Sequence, residues 1–142
     1  MTAIEKPDHL PQEAVLPLLR KLPDLGNTTT IVLHGGCVFE YKGRFPEGTL
    51  AEGFYNLHGE SAAAGYEGFE GHLRLEAMTR VRFQDRPHRG RASFAFVFED
   101  DKGHCLFKVF LGRDADGELV PEQLAFFERL RQGGSLSGEP AA

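Results

Sequence analysis

The sequence predicts an α+β protein in which a mostly antiparallel β-sheet of about seven strands lies between an N-terminal and a C-terminal helix. Between residues 28 and 111, short apolar or alternating segments are separated by turns rich in glycine and charge, as in hairpin-connected strands. Apolar residues recur at helical spacing only in residues 11–22 and 121–132, so no helix is available to connect parallel strands.

Length and charge limit the class of protein. A chain of 142 residues is predicted to form one domain, which we place at residues 1–132, with a disordered tail at 133–142. The net charge of −5 argues against nucleic acid, and no apolar run reaches the ~20 residues of a membrane span. The first residues lack the apolar core of a secretory signal. We therefore expect a cytoplasmic protein without nucleic-acid or membrane partners.

The two cysteines, Cys37 and Cys105, are too few and too far apart for a disulfide framework or a cysteine-rich zinc site. Both fall on predicted strands. We expect both to be buried thiols in a reducing compartment.

The first helix is predicted over residues 11–22, with an interruption or a kink at Pro17, because proline lacks a donor and clashes with the preceding turn. A strand over 28–33, the Gly35-Gly36 turn and a strand over 37–41 indicate a hairpin. Residues 42–48 are predicted as a loop.

The middle of the chain is predicted to hold a third strand at 52–58, a glycine-rich loop at 59–71 and alternating strands at 72–76 and 79–83. Residues 85–91 form a basic turn. The segments 93–98 and 104–111 flank a DDKG turn, and both faces of this hairpin are apolar, so we expect it to be central and covered on two sides. In the last helix, over 121–132, Leu124, Phe127 and Leu130 form the predicted buried stripe.

The stretch Gly53–His72 concentrates side chains that can ligate a metal or a haem iron. It holds the histidines His58 and His72 and the tyrosines Tyr55 and Tyr66. No phosphate-binding loop, dinucleotide motif, zinc-protease motif or nucleophile elbow occurs in the chain. The spacing of the six histidines offers no local pair of zinc ligands.

A haem pocket needs axial ligands, an apolar slot and cations for the propionates. Histidines and one tyrosine could supply the ligands, and twelve phenylalanines could line the slot. The candidate ligands are His34, Tyr55, His58 and His72, and the candidate cations are Arg86, Arg89, Arg91, Lys108 and Arg113. This composition permits haem but does not require it.

Several stretches occur in a characteristic order along the chain: GNTTTIVLHGGCVFEYKGRFPEG (26–48), GFYNLHG (53–59), GHLRLE (71–76), DRPHRGR (85–91), FKVFLGRD (107–114) and LVPEQLAFFERL (119–130). They resemble the ChuX/HutX family of cytosolic haem-utilisation carriers, which is related to the HemS/ChuS haem-handling proteins. The resemblance implies a HemS/ChuX-like fold, a homodimer, and a carrier that binds haem as cargo and passes it to a downstream degrading or storing enzyme.

The resemblance also implies roles for single residues. The Gly-His pair of the family falls on Gly71-His72, which makes His72 the leading iron ligand. The aromatic pair of its Asn-Leu motif falls on Phe54-Tyr55, so Tyr55 is a candidate second ligand. The family histidine of the first strand aligns with Leu33, and His34, one residue later, is the other candidate; a shift of one residue reverses the face of a strand.

Propionate or partner contacts are expected from three basic residues, namely Arg86, Lys108 and Arg113. The resemblance leaves two alternatives to a carrier without enzymatic activity. One is a haem-degrading enzyme of the HemS/ChuS type, and the other is a binder of another porphyrin-like ligand.

Overall fold

The computed structural model describes residues 8–59 and 68–136. Nine strands and two α-helices form in this part of the chain. They are β1 (His9–Leu10), α1 (Val15–Lys21), β2 (Asn27–His34), β3 (Cys37–Arg44), β4 (Glu47–Ala51), β5 (Phe54–His58), β6 (Gly71–Arg74), β7 (Arg80–Asp85), β8 (Phe94–Glu99), β9 (Cys105–Leu111) and α2 (Pro121–Arg131). The predicted α+β class is confirmed. Tyr66 and residues 137–142 of the predicted tail lie outside the described residues.

The strands form two sheets, whereas the sequence suggested one. The larger sheet has the order β1-β7-β8-β9-β2-β3, and the smaller has the order β4-β5-β6. Every strand pair in both sheets is antiparallel, as predicted. Among the described residues, neither helix is long and apolar enough to cross a membrane.

The N-terminal helix begins later than predicted. A 3₁₀ turn over Gln12–Ala14 precedes α1, and a second one over Leu22–Leu25 follows it. Pro17 is therefore the third residue of the α-helix, where its missing N–H would have no intrahelical partner anyway. The α-helix continues through Pro17, so the proline does not interrupt it.

The predicted loop over 42–48 was also wrong, because strand pairing extends through it. β3 pairs with β2 as far as Arg44, and β4 begins at Glu47. Between them, Phe45 and Pro46 are buried, so this polar stretch turns around a core phenylalanine. The third predicted strand starts at Phe54 because Glu52 and Gly53 adopt the positive φ angles of a tight turn, 56° and 83°.

The core joins one face of the larger sheet to both helices. The ring of Phe127 on α2 lies 5.1 Å from that of Phe96 and 5.3 Å from that of Phe83. Phe127 and Leu130 are buried as predicted, but Leu124 is only half-buried and Phe126 completes the stripe.

The β8–β9 hairpin is central in the larger sheet, as expected. Phe98 and Phe107 stack at 4.4 Å on the core face. On the other face, Val97 is fully buried between the paired positions Arg82 and Lys108. Long side chains of the same sheet thus cover the second face.

The expectation of two buried thiols was wrong. Cys37 and Cys105 are both free and exposed. Each lies at the first position of its strand, beside a turn, where alternation with the core has not begun.

Candidate functional site

An open cavity of about 270 Å³ lies between the two sheets. Thr30, Val32, Leu106 and Phe107 line it from the larger sheet, Leu57, His72, Leu73 and Arg74 from the smaller one, and Phe45, Phe69, Ala77 and Met78 from the connections. Strand alternation accounts for two of these walls. Thr30 and Val32 share one face of β2, and Leu57 and Leu73 share the inner face of the smaller sheet. The lining is mainly apolar and holds three phenyl rings, which suits a flat hydrophobic ligand.

His72 borders this cavity from β6, an edge strand of the smaller sheet. Its Nδ1 lies 2.6 Å from Oδ1 of Asn56, its cross-strand partner. The Asn56 amide is oriented by its Nδ2, which donates to the carbonyl oxygens of Thr49 (3.3 Å) and Phe54 (3.4 Å). Oδ1 is therefore an acceptor, and Nδ1 of His72 must carry the proton.

The consequence is that Nε2 of neutral His72 keeps a free lone pair. Histidines that bind metals usually donate their other ring N–H to a carbonyl or carboxylate, which fixes the tautomer and the ring plane. Asn56 supplies this contact to His72. Sequence reasoning did not identify Asn56, and strand register is the only signal that could have found it.

Arg74 is the cation that borders the cavity among the described residues, and sequence reasoning missed it. It follows His72 by two residues on β6 and so shares its face. Its guanidinium lies 4.7 Å from the centre of the Phe54 ring and 3.3 Å from a carboxylate oxygen of Glu76. The Phe54 ring meets His72 edge-on at 6.4 Å. Alternation within HLRLE could have indicated this pairing of a histidine with an arginine.

Tyr55 does not share a face with His72. It pairs with Leu73 on the inner face of the smaller sheet, whereas His72 pairs with Asn56 on the outer face. Only 1% of Tyr55 is exposed, and burial raises the pKa of its phenol. Its ring packs against Gly48, where a Cβ atom would come within 2.5 Å of it. The structure thus places Tyr55 in the core.

His34 lies at the exposed end of β2. Thr30 and Val32 line the cavity, and His34 continues their side of the strand, about 7 Å beyond Val32. Leu33 points to the opposite face and is 50% exposed. The shift of one residue noted in the sequence therefore puts the histidine, rather than the leucine, on the cavity side.

The three predicted propionate contacts do not line the cavity. Lys108 lies on the opposite face of the larger sheet, where its Nζ donates to Oε1 of Gln84 at 2.8 Å. Burial lowers the pKa of Lys108, and the charge of Arg86 acts in the same direction. Arg113 donates to the carbonyl oxygens of Gly117 and Ala92. Among the described residues, no group of three histidine, cysteine or acidic side chains could hold a metal ion.

The sequence profile described as Haem utilisation ChuX/HutX matches residues 9–130. The intracellular heme transport protein HutX of Vibrio cholerae is 41% identical over 115 residues, which are 81% of this chain and 57% of HutX. The chain thus spans somewhat more than half the length of that relative.

Solved structures show the same architecture. The heme-binding protein ChuX has a TM-score of 0.76 at 27% identity, with 87% of this chain and 74% of ChuX covered. A protein from Agrobacterium tumefaciens has a TM-score of 0.76 at 32% identity, with 90% and 72% covered. Holo-PhuS from Pseudomonas aeruginosa, at 12% identity and a TM-score of 0.67, shares the fold alone over 90% of this chain and 34% of PhuS. The predicted HemS/ChuX-like fold is confirmed, and because the family profile extends over most of its length, the chain belongs to the ChuX/HutX family of haem-utilisation proteins.

Proposed function

We propose that this protein is a cytoplasmic carrier that binds haem as cargo and passes it to a downstream haem-degrading or haem-storing enzyme. The observation that carries the proposal is the pairing of His72 with Asn56 beside an apolar cavity. That pairing leaves Nε2 available to iron. Relatives named for heme transport and heme binding, HutX and ChuX, support the same cargo.

His72 is the first iron ligand in this proposal, and His34 is the second. His34 lies on the cavity side of β2. The side chain of His72 lies on the outer face of the edge strand β6, so a porphyrin bound by both histidines would lie across the rim of the cavity. Tyr55 is the weaker candidate because burial raises the pKa of its phenol, which disfavours the phenolate that iron would bind. We assign Tyr55 to the support of the small sheet.

The cavity suits a cargo that must be released. Its volume of about 270 Å³ is just below the ~300–1,000 Å³ of pockets that enclose most of a small ligand. Part of a haem would therefore stay outside, accessible to an acceptor. Arg74, at the cavity border, is placed to hold one propionate by a charge-assisted hydrogen bond.

Titration of the purified protein with haemin tests the proposal. We expect a saturable shift of the Soret band at one equivalent per chain. His72→Ala should weaken binding and change the spectrum. His58→Ala is the matched control, since His58 lies on the same small sheet but bonds to Thr49 at 2.8 Å and does not line the cavity. Non-saturable binding by the unaltered protein would contradict a carrier role.

The carrier is proposed to lack enzymatic activity. The alternative is haem degradation of the kind implied by the fold shared with ChuS, described as an E. coli heme oxygenase, at 16% identity. Adding ascorbate to the haem complex in air separates the two. A carrier should keep its Soret band, whereas an enzyme should lose it and form a biliverdin-like product.

A homodimer is the proposed assembly. β3 is an edge strand of the larger sheet, and exposed apolar side chains cluster at the tip of the β2–β3 hairpin: Leu33, Val38 and Phe39 are 50%, 55% and 64% exposed. An unpaired edge with apolar side chains favours pairing with another chain. Light scattering should give a dimer for the unaltered protein and a monomer for Val38→Lys/Phe39→Lys. Leu50→Lys, which alters an exposed apolar residue of β4, should remain dimeric.

A further inference from the structure

A second concave surface lies on the face of the larger sheet opposite the cavity. This basic groove has a volume of about 400 Å³. Four cations line it, namely Lys42, Arg89, Arg91 and Arg113, and its apolar lining comes from Ile31 and Phe110. Ile31 and Phe110 alternate with core-facing residues of β2 and β9, which places them on the outer face. Arg113, expected from the sequence to contact a propionate or a partner, belongs to this groove.

The groove is positive in a chain whose net charge is −5. Among the described residues that line it, Glu40 is the one acidic side chain, and Arg91 lies 3.8 Å from Glu118. Within the described part of the chain, Lys42 and Arg89 form no ion pair. Several cations held around an apolar floor, with two of them uncompensated, favour binding of an anion that also carries apolar surface.

The backbone at Arg89 is an independent sign of function. His88 and Arg91 exchange both backbone hydrogen bonds, at 2.8 and 3.0 Å, around Arg89-Gly90. Both central residues have positive φ angles, 52° and 78°, and such two-residue turns strongly prefer Asn-Gly or Gly-Gly. An arginine is disfavoured in this conformation. Strained residues of this kind cluster at binding sites, and Arg89 is one of the residues that line the groove.

We propose that the basic groove is a second ligand site, which takes a flat apolar molecule bearing two carboxylates, of the porphyrin dicarboxylate class. The carboxylates pair with Arg89 and Lys42, and the ring system covers Ile31 and Phe110. The site needs no bond to iron, and it is separated from His72 by the sheet. Only the class of ligand in this proposal rests on the proposed function of the protein.

Titration with iron-free protoporphyrin IX, followed by its own fluorescence, tests the groove. Arg89→Gly is the first variant, because glycine accepts a positive φ and should keep or raise the melting temperature. Lys42→Gln/Arg89→Gln is the second. We expect both variants to lose at least tenfold in affinity, with a steeper loss in the double variant. Arg20→Gln/Lys102→Gln removes the same charge from exposed positions outside the groove and should bind like the unaltered protein.

Two outcomes would overturn the inference. One is equal affinity for protoporphyrin IX in the unaltered protein and in both groove variants, and the other is an equal loss in the charge-matched control. A haemin titration of the same proteins keeps this test apart from the carrier proposal. Suppose that haemin gives no Soret shift but Arg89→Gly still lowers the affinity for protoporphyrin IX. The carrier proposal then fails, and the proposal of a ligand site in the basic groove is supported. If haemin gives the Soret shift and the groove variants bind protoporphyrin IX as the unaltered protein does, the carrier proposal is supported and the proposed groove site is overturned.

Discussion

The hydrogen bond between Asn56 and His72 decides which imidazole nitrogen can accept a metal. Asn56→Leu removes the acceptor at Nδ1, so that the ring can rotate and either nitrogen can carry the proton. We expect haem affinity to fall by about 10–100-fold, the usual effect of losing such a contact, with an altered Soret spectrum. Absorption titration and thermal unfolding measure the two effects separately.

Asn56→Asp provides the rescue, since a carboxylate oxygen can still accept from Nδ1. It should retain most of the affinity that Asn56→Leu loses. A purely structural role for Asn56 would instead lower the melting temperature in both variants and leave the spectrum of bound haem unchanged.

At the scale of single residues, the candidate histidine ligands could be identified from the sequence, but the side chains that contact them could not. His72 and Arg74 share a face by simple alternation, and this much was available from the letters HLRLE. The acceptor for His72 comes from another strand, sixteen residues earlier, and depends on register. The turn at Glu52-Gly53 joins β4 to β5, so the register of β6 on β5 depends instead on which face of each strand packs against the core. It is therefore a property of the folded chain.

At the scale of elements, one buried amide connects α2 to the end of the larger sheet. Oε1 of Gln123 accepts from the backbone N–H of Gly112 at 2.7 Å, and its Nε2 donates to the carbonyl oxygens of Leu25 and Asn27 at 3.0 and 2.8 Å. Gln123→Leu leaves these backbone groups unpaired in a site that is 1% exposed. We expect a loss of about 2–4 kcal/mol in the free energy of unfolding, measured by urea denaturation. Gln132→Leu, at the exposed end of the helix, should change it by less than about 0.5 kcal/mol.

A second element-scale prediction concerns acid stability. Burial alone would raise the pKa of Glu99, but hydrogen bonds from Arg80 (2.8 Å) and Arg82 (3.0 Å) outweigh it and hold the pKa below its usual value. A carboxylate with a lowered pKa contributes stability above its unfolded pKa and loses it as the pH falls through the folded value. Glu99→Gln should therefore be less stable at pH 7 by about 1.5–3 kcal/mol.

The pH dependence of the stability of Glu99→Gln provides the control for this prediction. The difference in unfolding free energy between Glu99→Gln and the unaltered protein should shrink as the pH falls below about 4, the usual pKa of the unfolded carboxyl, towards the lower folded pKa, below which the carboxyl is protonated in both states. A difference that stays constant from pH 7 to pH 3 would mean that the β7–β8 contact acts through packing rather than charge.

The strands that sequence reasoning missed share one cause. The stretch 42–48 is polar and contains two glycines and a proline, so local propensity favours a loop. Pairing with β2 on one side and with β5 on the other turns most of it into strand, because long-range hydrogen bonds override a weak local preference. Strongly patterned segments such as β8, β9 and α2 were found nearly to the residue.

At the scale of the whole molecule, the division into two sheets creates the site. A single sheet would have no internal slot, and the cavity exists because β4–β6 pack across the core from β2 and β9. Sequence patterns report which residues alternate but not which strands break away from the main sheet. Of the predicted site residues, His72 borders the cavity and Arg113 lines the groove on the other face. Tyr55 and Lys108 line neither of them.

Because the cavity is walled by both sheets, a ligand in it should hold them together and raise the stability of the whole domain. For binding to the folded state alone, haemin at 100 times its dissociation constant adds about 2.7 kcal/mol. For a domain of this size that corresponds to a rise of roughly 5–10 °C in melting temperature. Calorimetry of the unaltered protein with and without haemin should show this rise, and His72→Ala should show a smaller one at the same haemin concentration. An equal rise in both would mean that His72 contributes nothing to the bound state and that the apolar walls alone retain the porphyrin.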